Sequence, residues 1–400
     1  MSQQQQPPRR LTRKELLKRN KRIQKKRQMR LTFIAVVVTA FLVYITGAFG
    51  ASLAYLGDFV SSAMVYMQFG GGYPVQIENQ TYLQSEKMGS SLCILDGDSL
   101  SFFSPTGDKV YEYHHSMQSP VINTSAKRVV IYNGNQTSLK VANAHNILFS
   151  QEMTNDIIHA SLSDNNHLAV TTKSQSYNGE VKVFDSQMRE VFTWLNAKSF
   201  PIQSFLSPKA QILAASCLSA KDGSLVSDVY IIGTDDGSER FVVQNTEGAV
   251  LGMEFIREDI LVIFYTDKAV TVDLATGQTT HSYSYEGRDL TAYTIRNSQI
   301  LMALGDYDGL ETTRLVLTDL SFGGAYTMET VRNITDVEIA NQRICAFGDG
   351  AVEQYSLKGV FAGETQVKNN AKAIIDYQGC TVVSGDSIDR LEKASLKKKG

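Results

Sequence analysis

The chain has 400 residues, 43% of them hydrophobic and 20% charged, with 29 glycines and seven prolines. These are globular proportions, and they exclude a disordered, collagen-like or proline-rich protein. The formal charge of −2 conceals a split: residues 1–30 carry 12 Lys/Arg against the single acid Glu15, and the rest of the chain carries 27 Lys/Arg against 40 Asp/Glu. That asymmetry excludes a uniformly neutral soluble protein.

Residues 1–30 begin with Gln3–Gln6 and Pro7-Pro8, and their twelve cations run from Arg9 to Arg30. From Leu31 to Gly57 there is no formal charge, and the run opens LTFIAVVVTAFLVYITGAFG. A helix needs about 20 apolar residues to cross the hydrocarbon core of a bilayer. Residues 31–56 are therefore predicted as one transmembrane signal-anchor helix. The cationic flank precedes it and no comparable cluster follows, which places residues 1–30 in the cytoplasm as a basic tail and the bulk of the chain outside it. A cleaved signal peptide is the alternative, but its apolar region usually spans about 7–15 residues. Cations abutting a span meet anionic lipid, so the bilayer is the expected partner of this tail and nucleic acid is not. Residues 57–72 read as a juxtamembrane stalk ending in the hinge Gly70-Gly71-Gly72.

Past Gly72 the helical period gives way to short β-rich runs, among them SLCIL (91–95), KRVVIY (127–132), LAVTT (168–172), ILVIFY (260–265) and RICAF (343–347). Each is followed by a hairpin signal such as Asp96-Gly97 or Asn133-Gly134. An alternating strand, a second turn and a last strand complete the unit. Cutting before each first strand gives units 81–119, 120–155, 156–198, 199–247, 248–288, 289–332 and 333–369. A four-stranded unit recurring at about 40–45 residues is the pattern of a β-propeller blade. Residues 370–396 supply about three further strands, and YPVQIENQ (73–80) supplies one. Pairing these would close an eighth blade from both ends of the domain and remove the open edges. The expected fold is all-β: a propeller of about eight four-stranded blades over 73–396, with seven as the alternative, followed by a basic tail at 397–400.

The turn Asp273-Leu274-Ala275-Thr276-Gly277 resembles the Asp-x-x-Thr-Gly turn of quinoprotein-type repeats, and DSQMREVFTW (185–194) looks like a looser copy. The layout of basic tail, single span, stalk and propeller is similar to an uncharacterised family of membrane-anchored propellers from Gram-positive, clostridia-type bacteria. That resemblance implies an envelope location and supplies no activity. Quinoproteins dock their blades with many tryptophans, whereas this chain has one, so no quinone or other cofactor is expected.

No catalytic constellation stands out. The cysteines Cys93, Cys217, Cys345 and Cys380 all fall in second strands, where a free thiol behaves as a small apolar group. Only the adjacent-blade pairs Cys345–Cys380 and Cys380–Cys93 could be close enough to bridge. The six histidines form no HxxxH or HExxH motif, and no GxSxG elbow occurs. The segment Gly305–Glu311 is too short for an EF-hand loop, so no metal is expected.

The turns between second and third strands are more informative. Most are two to four residues, but KSQSYNG (173–179), SAKDGSLVSD (219–228) and GDYDGLETT (305–313) are enlarged. In a four-stranded meander these turns share one face of the ring, and loops on a rigid scaffold carry function disproportionately. The predicted partner-binding residues are Tyr177, Asp222, Asp228, Asp306, Tyr307 and Asp308. The function expected is non-catalytic: a membrane-anchored extracytoplasmic binding or scaffold module for a protein or cell-wall partner. The alternatives are an enzyme acting on envelope glycans, which needs paired carboxylates about 5–10 Å apart, and a transmembrane signalling protein.

Overall fold

A computed structural model describes residues 57–58, 60, 62, 64–65, 71–77, 81–221, 223–245, 247–306 and 312–392. The expected basic tails and the span at 31–56 lie outside the described residues. Among the described residues no helix is long and apolar enough to cross a membrane.

The described strands form eight antiparallel four-stranded sheets. Seven are consecutive meanders, at 82–114, 120–152, 157–196, 200–243, 250–284, 289–330 and 334–366. The eighth joins Ala371–Asp376, Cys380–Ser384 and Ser387–Arg390 to the early strand Val75–Gln76. Val75 lies opposite Ile388 and Gln76 opposite Ser387, so the predicted closure by both ends of the domain is present, and the count is eight. We letter the strands A to D within each blade. The A strands touch one another around the ring and line its central channel. Because the strands alternate in direction, the A–B and C–D turns share one face, and the B–C turns share the other with the D–A connections between blades.

Local sequence explains the layering. The B strands Val129–Asn133 and Leu168–Thr172 are buried throughout, as expected where a short apolar run is covered on both sides. The outermost strand Gln278–Ser284 is almost wholly exposed and correspondingly polar. Each apolar cluster fills the space between consecutive blades. One joins Ala169 and Val181 of blade 3 to Leu213 and Ile232 of blade 4. Another joins Leu92 and Phe103 of blade 1 to Val383 and Ile388 of blade 8.

Polar side chains on the A strands link neighbouring blades through backbone hydrogen bonds. Gln84 bonds both the C=O and the N–H of Ile122, at 3.0 Å each. Asn123 accepts from the Leu162 N–H at 2.9 Å, His159 Nδ1 accepts from the Ser204 N–H at 3.3 Å, and Gln203 donates to the Leu251 C=O at 3.3 Å. Thr291 donates to the Ile334 C=O at 2.8 Å, and Asp336 accepts from the Ile374 N–H at 2.9 Å. These bonds tie strands that belong to different sheets, a task that many tryptophans would otherwise share. The one tryptophan, Trp194, packs on Tyr230 of the next blade at 5.2 Å between ring centroids.

The segment expected to be a stalk is packed onto this ring. Every described position between 57 and 65 is helical. Val65 is buried in the cluster that holds Met88, Leu100 and Ile131. Asp58 is 2% exposed and binds Arg128, itself 4% exposed, at 2.9 and 3.0 Å.

Candidate functional site

The enlarged turns lie on the B–C/D–A face, and the structure changes the reading of one of them. In blade 3, residues 173–178 connect Leu168–Thr172 to Gly179–Phe184, and Tyr177 stands 43% exposed in that turn. In blade 4 the expected loop 219–228 is strand instead: Ile212–Lys221 and Ser224–Gly233 pair continuously out to Lys221↔Ser224. Residues 222–223 are left as the two-residue connection, where Gly223 takes φ +84°, a conformation that suits glycine in a tight hairpin. The run Ser219–Asp228 alternates around an Asp-Gly pair, and that is a hairpin signature.

Asp228 therefore sits on a strand opposite Cys217, half-buried, with its carboxylate accepting the Asn245 N–H at 3.2 Å. It secures the connection to blade 5 and is not presented at a loop tip. Asp306 is half-buried where the blade 6 turn begins. Asp222, Tyr307 and Asp308 lie outside the described residues.

What the sequence reading missed is the apolar character of this face. Phe200 at the start of the blade 4 A strand is 59% exposed, and Leu225 on the protruding hairpin is 60% exposed. Leu195 at the end of blade 3 and Leu251 at the start of blade 5 are each 43% exposed. Phe200 lies opposite Leu218 at the base of the hairpin. The Gln203 bond to Leu251 joins blades 4 and 5 beside it. Tyr177, Leu195, Phe200, Leu225 and Leu251 thus come from three successive blades on one face. Large apolar side chains gathered on one exposed surface mark interaction sites. The available signal was the position of Phe200 and Leu251 at A-strand starts, where the chain emerges at the rim.

The central channel is the second chemically distinctive region. Its A strands carry Glu86, Glu254, Asp336 and Glu338, each half-buried among the surrounding strands. Burial raises the carboxyl of Glu86 to about 7, and burial with the nearby Asp164 raises Glu254 to about 7. Burial raises Asp336 to about 6, opposed by the Ile374 N–H. Glu338 is raised to about 8 by burial and by Asp336 and Asp376, against the pull of Arg296. Three of these acids have structural partners: Asp336 holds blade 8, Glu86 accepts from Gln84, which itself bonds blade 2, and Glu338 accepts from the Thr294 hydroxyl of blade 6 at 3.5 Å.

At the A–B/C–D end the channel widens into a cavity of about 380 Å³ bounded by Asn123, Asp164, Phe205, Glu254, Phe255 and Tyr293. Among the described residues there is no cluster of three His, Cys, Asp or Glu placed to hold a metal ion. The four cysteines are free and buried on B strands.

The fold has close structural relatives despite low identity. The computationally designed protein Ika8 superposes with a TM-score of 0.62 at 14% identity, over 80% of this chain and 100% of its own. BamB from Moraxella catarrhalis superposes with a TM-score of 0.55 at 13% identity, over 80% of this chain and 98% of its own. These likenesses show the propeller fold alone. In the turn at 273–277 the Asp273 carboxylate accepts the Ala275 N–H at 2.8 Å. No curated protein matches the sequence. A family model without an assigned enzymatic activity matches residues 70–392, nearly the whole propeller. The chain belongs to that family, the family of unknown function DUF5711.

Proposed function

We propose that this protein is a membrane-anchored, extracytoplasmic binding module of the cell envelope that presents the B–C/D–A face of blades 3 to 5 to a protein partner. The observation that carries this reading is the blade 4 hairpin, paired out to Lys221↔Ser224, with exposed Leu225 on it and exposed Phe200 at its base. A protruding hairpin supplies a rigid edge. Tyr177 on the neighbouring turn adds an aromatic side chain of the kind enriched in interface cores. The uncharged run Leu31–Gly57 behind twelve cations supports the anchor and its orientation. The propeller fold shared with BamB does not by itself assign a role or a partner.

Site-specific photo-cross-linking tests this in native membranes with the full-length chain. A photoreactive residue at Leu225 or Phe200 should give one discrete adduct, and the same residue at Val360, on the opposite face, should give none. Absence of an adduct from both Leu225 and Phe200, or the same adduct from Val360, would overturn the reading.

A further inference from the structure

We infer that the cavity at the A–B/C–D end of the channel is a binding site for a small organic amine, with Glu254 as counter-ion to its primary ammonium group. This site goes beyond the partner face proposed above and lies at the other end of the ring.

Five blades contribute to the cavity, and its walls differ in chemistry. Glu254 and Tyr293 line it from the A strands of blades 5 and 6, and Asp164 lines it from the A–B turn of blade 3. Phe205 of blade 4 and Phe255 of blade 5 supply an apolar side. Its volume of about 380 Å³ falls in the range of small-molecule sites, which pair apolar walls with a few placed polar groups.

Charge selects the ligand. The lining holds two carboxylates and no Lys, Arg or His side chain. The cations Lys87 and Arg296, near the ends of other A strands, are both taken up by Asp376 of blade 8. Among the described residues no ion pair or hydrogen bond satisfies the Glu254 carboxylate. A carboxylate withdrawn from water without a partner is costly, and burial together with Asp164 accordingly raises Glu254 to about 7. A bound cation removes that cost.

Tyr293 is held in place as the second contact. Its ring stacks on Phe264 with centroids 3.9 Å apart, and its hydroxyl lies over Gly252, where any Cβ would collide with it. Burial, and then the charge of Glu254, raise that hydroxyl to about 12, so the two groups sit side by side. A primary ammonium carries three N–H donors on a compact head, and Glu254, Asp164 and the Tyr293 oxygen are three acceptors for it. A bare divalent cation is a poorer match. It wants about six or more oxygens, and the phenylalanine side of the cavity offers none.

Fluorine NMR of 4-fluorobenzylamine, with the neutral 4-fluorobenzyl alcohol as control, tests the inference on the purified full-length chain. At about pH 8 the amine is charged and Glu254 is largely ionised. The amine should bind saturably, and the alcohol should bind at least about tenfold more weakly. Glu254→Gln keeps the side-chain shape and should weaken the amine about tenfold or more, leaving the alcohol unchanged. Tyr293→Phe keeps the stack on Phe264 and should weaken the amine about threefold to tenfold. Glu86→Gln, on the channel but outside the cavity, should change neither ligand.

Affinity for the amine should also rise about tenfold between about pH 6 and 8 as Glu254 ionises, and Glu254→Gln should remove that rise. The titratable groups facing Glu254 are Asp164 of blade 3 and Tyr293 of blade 6. The adjoining strands Phe200–Leu206 and Ile260–Tyr265 carry no carboxylate or cation. A cooperative melting transition, read by Trp194 fluorescence, establishes that each variant is folded. Equal binding of amine and alcohol, no saturable binding of the amine in the millimolar range, or unchanged affinity in folded Glu254→Gln overturns the inference. None of these outcomes bears on the cross-linking at Leu225 and Phe200.

Discussion

Val75 and Ile388 stand opposite each other in blade 8, so a strand from the start of the domain forms the outer edge of a sheet whose other three strands come from its end. Tyr377 strengthens the junction: its hydroxyl lies 2.9 Å from the Ser90 C=O and 3.0 Å from the Phe103 C=O of blade 1. Closure matters because each blade buries its faces only against neighbours. Ile388 is fully buried in the cluster between blades 8 and 1. Ile388→Ala should cost about 2–5 kcal/mol, read as a lowered urea midpoint. Val360→Ala, at an exposed corner, should stay within about 0.5 kcal/mol. Equal effects would show that the seam between the chain ends does not limit stability.

The channel acids set a pH dependence with a definite sign. Glu86, Glu254, Asp336 and Glu338 have raised values of about 7, 7, 6 and 8, so above the ordinary carboxylate range the folded chain binds more protons than the unfolded chain. Their stabilisation is full in acid and is lost as pH rises through those values. His159 opposes them on the acid side. Burial lowers it to about 4 despite the Ser204 bond, so its contribution is lost as pH falls from its ordinary value of 6.5 towards 4. Between about pH 6.5 and 8 only the acids act. The melting temperature should therefore fall across that window, and Glu338→Gln should flatten the slope. A melting temperature that rises over the same window would contradict the assignment.

The thiols should be silent until the ring opens. Burial pushes Cys93 well up and Cys217 to about 12, and a hydrogen bond with Cys345 together with burial raises Cys380. The thiolate is the reactive form, and all four side chains are buried. A thiol-reactive chromogen at pH 8 should titrate none of the four in native protein and all four in guanidinium. Fast reaction of any cysteine in the native state would show local opening of its blade.

The repeat was legible because B strands covered on both sides must be continuous apolar runs, as in Leu92–Leu95 and Leu261–Tyr265, while turns need Gly, Asn or Asp. Blade 8 was legible for the same reason, once an unpaired strand near each end of the domain required a partner. The candidate site was less so. Asp228 belongs to a strand because the hairpin of blade 4 continues past the usual blade height, and pairing length is set by both strands together. The links from Gln84, Asn123 and Asp336 to the next blade could not be read, since each joins residues 38 or 39 positions apart through backbone atoms. The packing of Asp58 was equally hidden: its partner Arg128 is 70 positions away and carries no local pattern.

The two faces of the blade 3–4 junction should respond differently to substitution, which separates an interaction surface from a structural one. Gly179 abuts Pro201 of the next blade, and a Cβ there would meet the proline ring at 2.6 Å. The ring cannot rotate away, so Gly179→Ala should cost about 1–3 kcal/mol through forced separation of the blades. Phe200, next to that proline, points into open solvent and is 59% exposed, as is Leu225 at 60%. Phe200→Ser and Leu225→Ser should therefore leave the urea midpoint within about 0.5 kcal/mol of the parent while removing the cross-linked partner. Stability lost in the serine variants to the same degree as in Gly179→Ala would mean that this apolar surface serves the ring itself and is not offered to a partner.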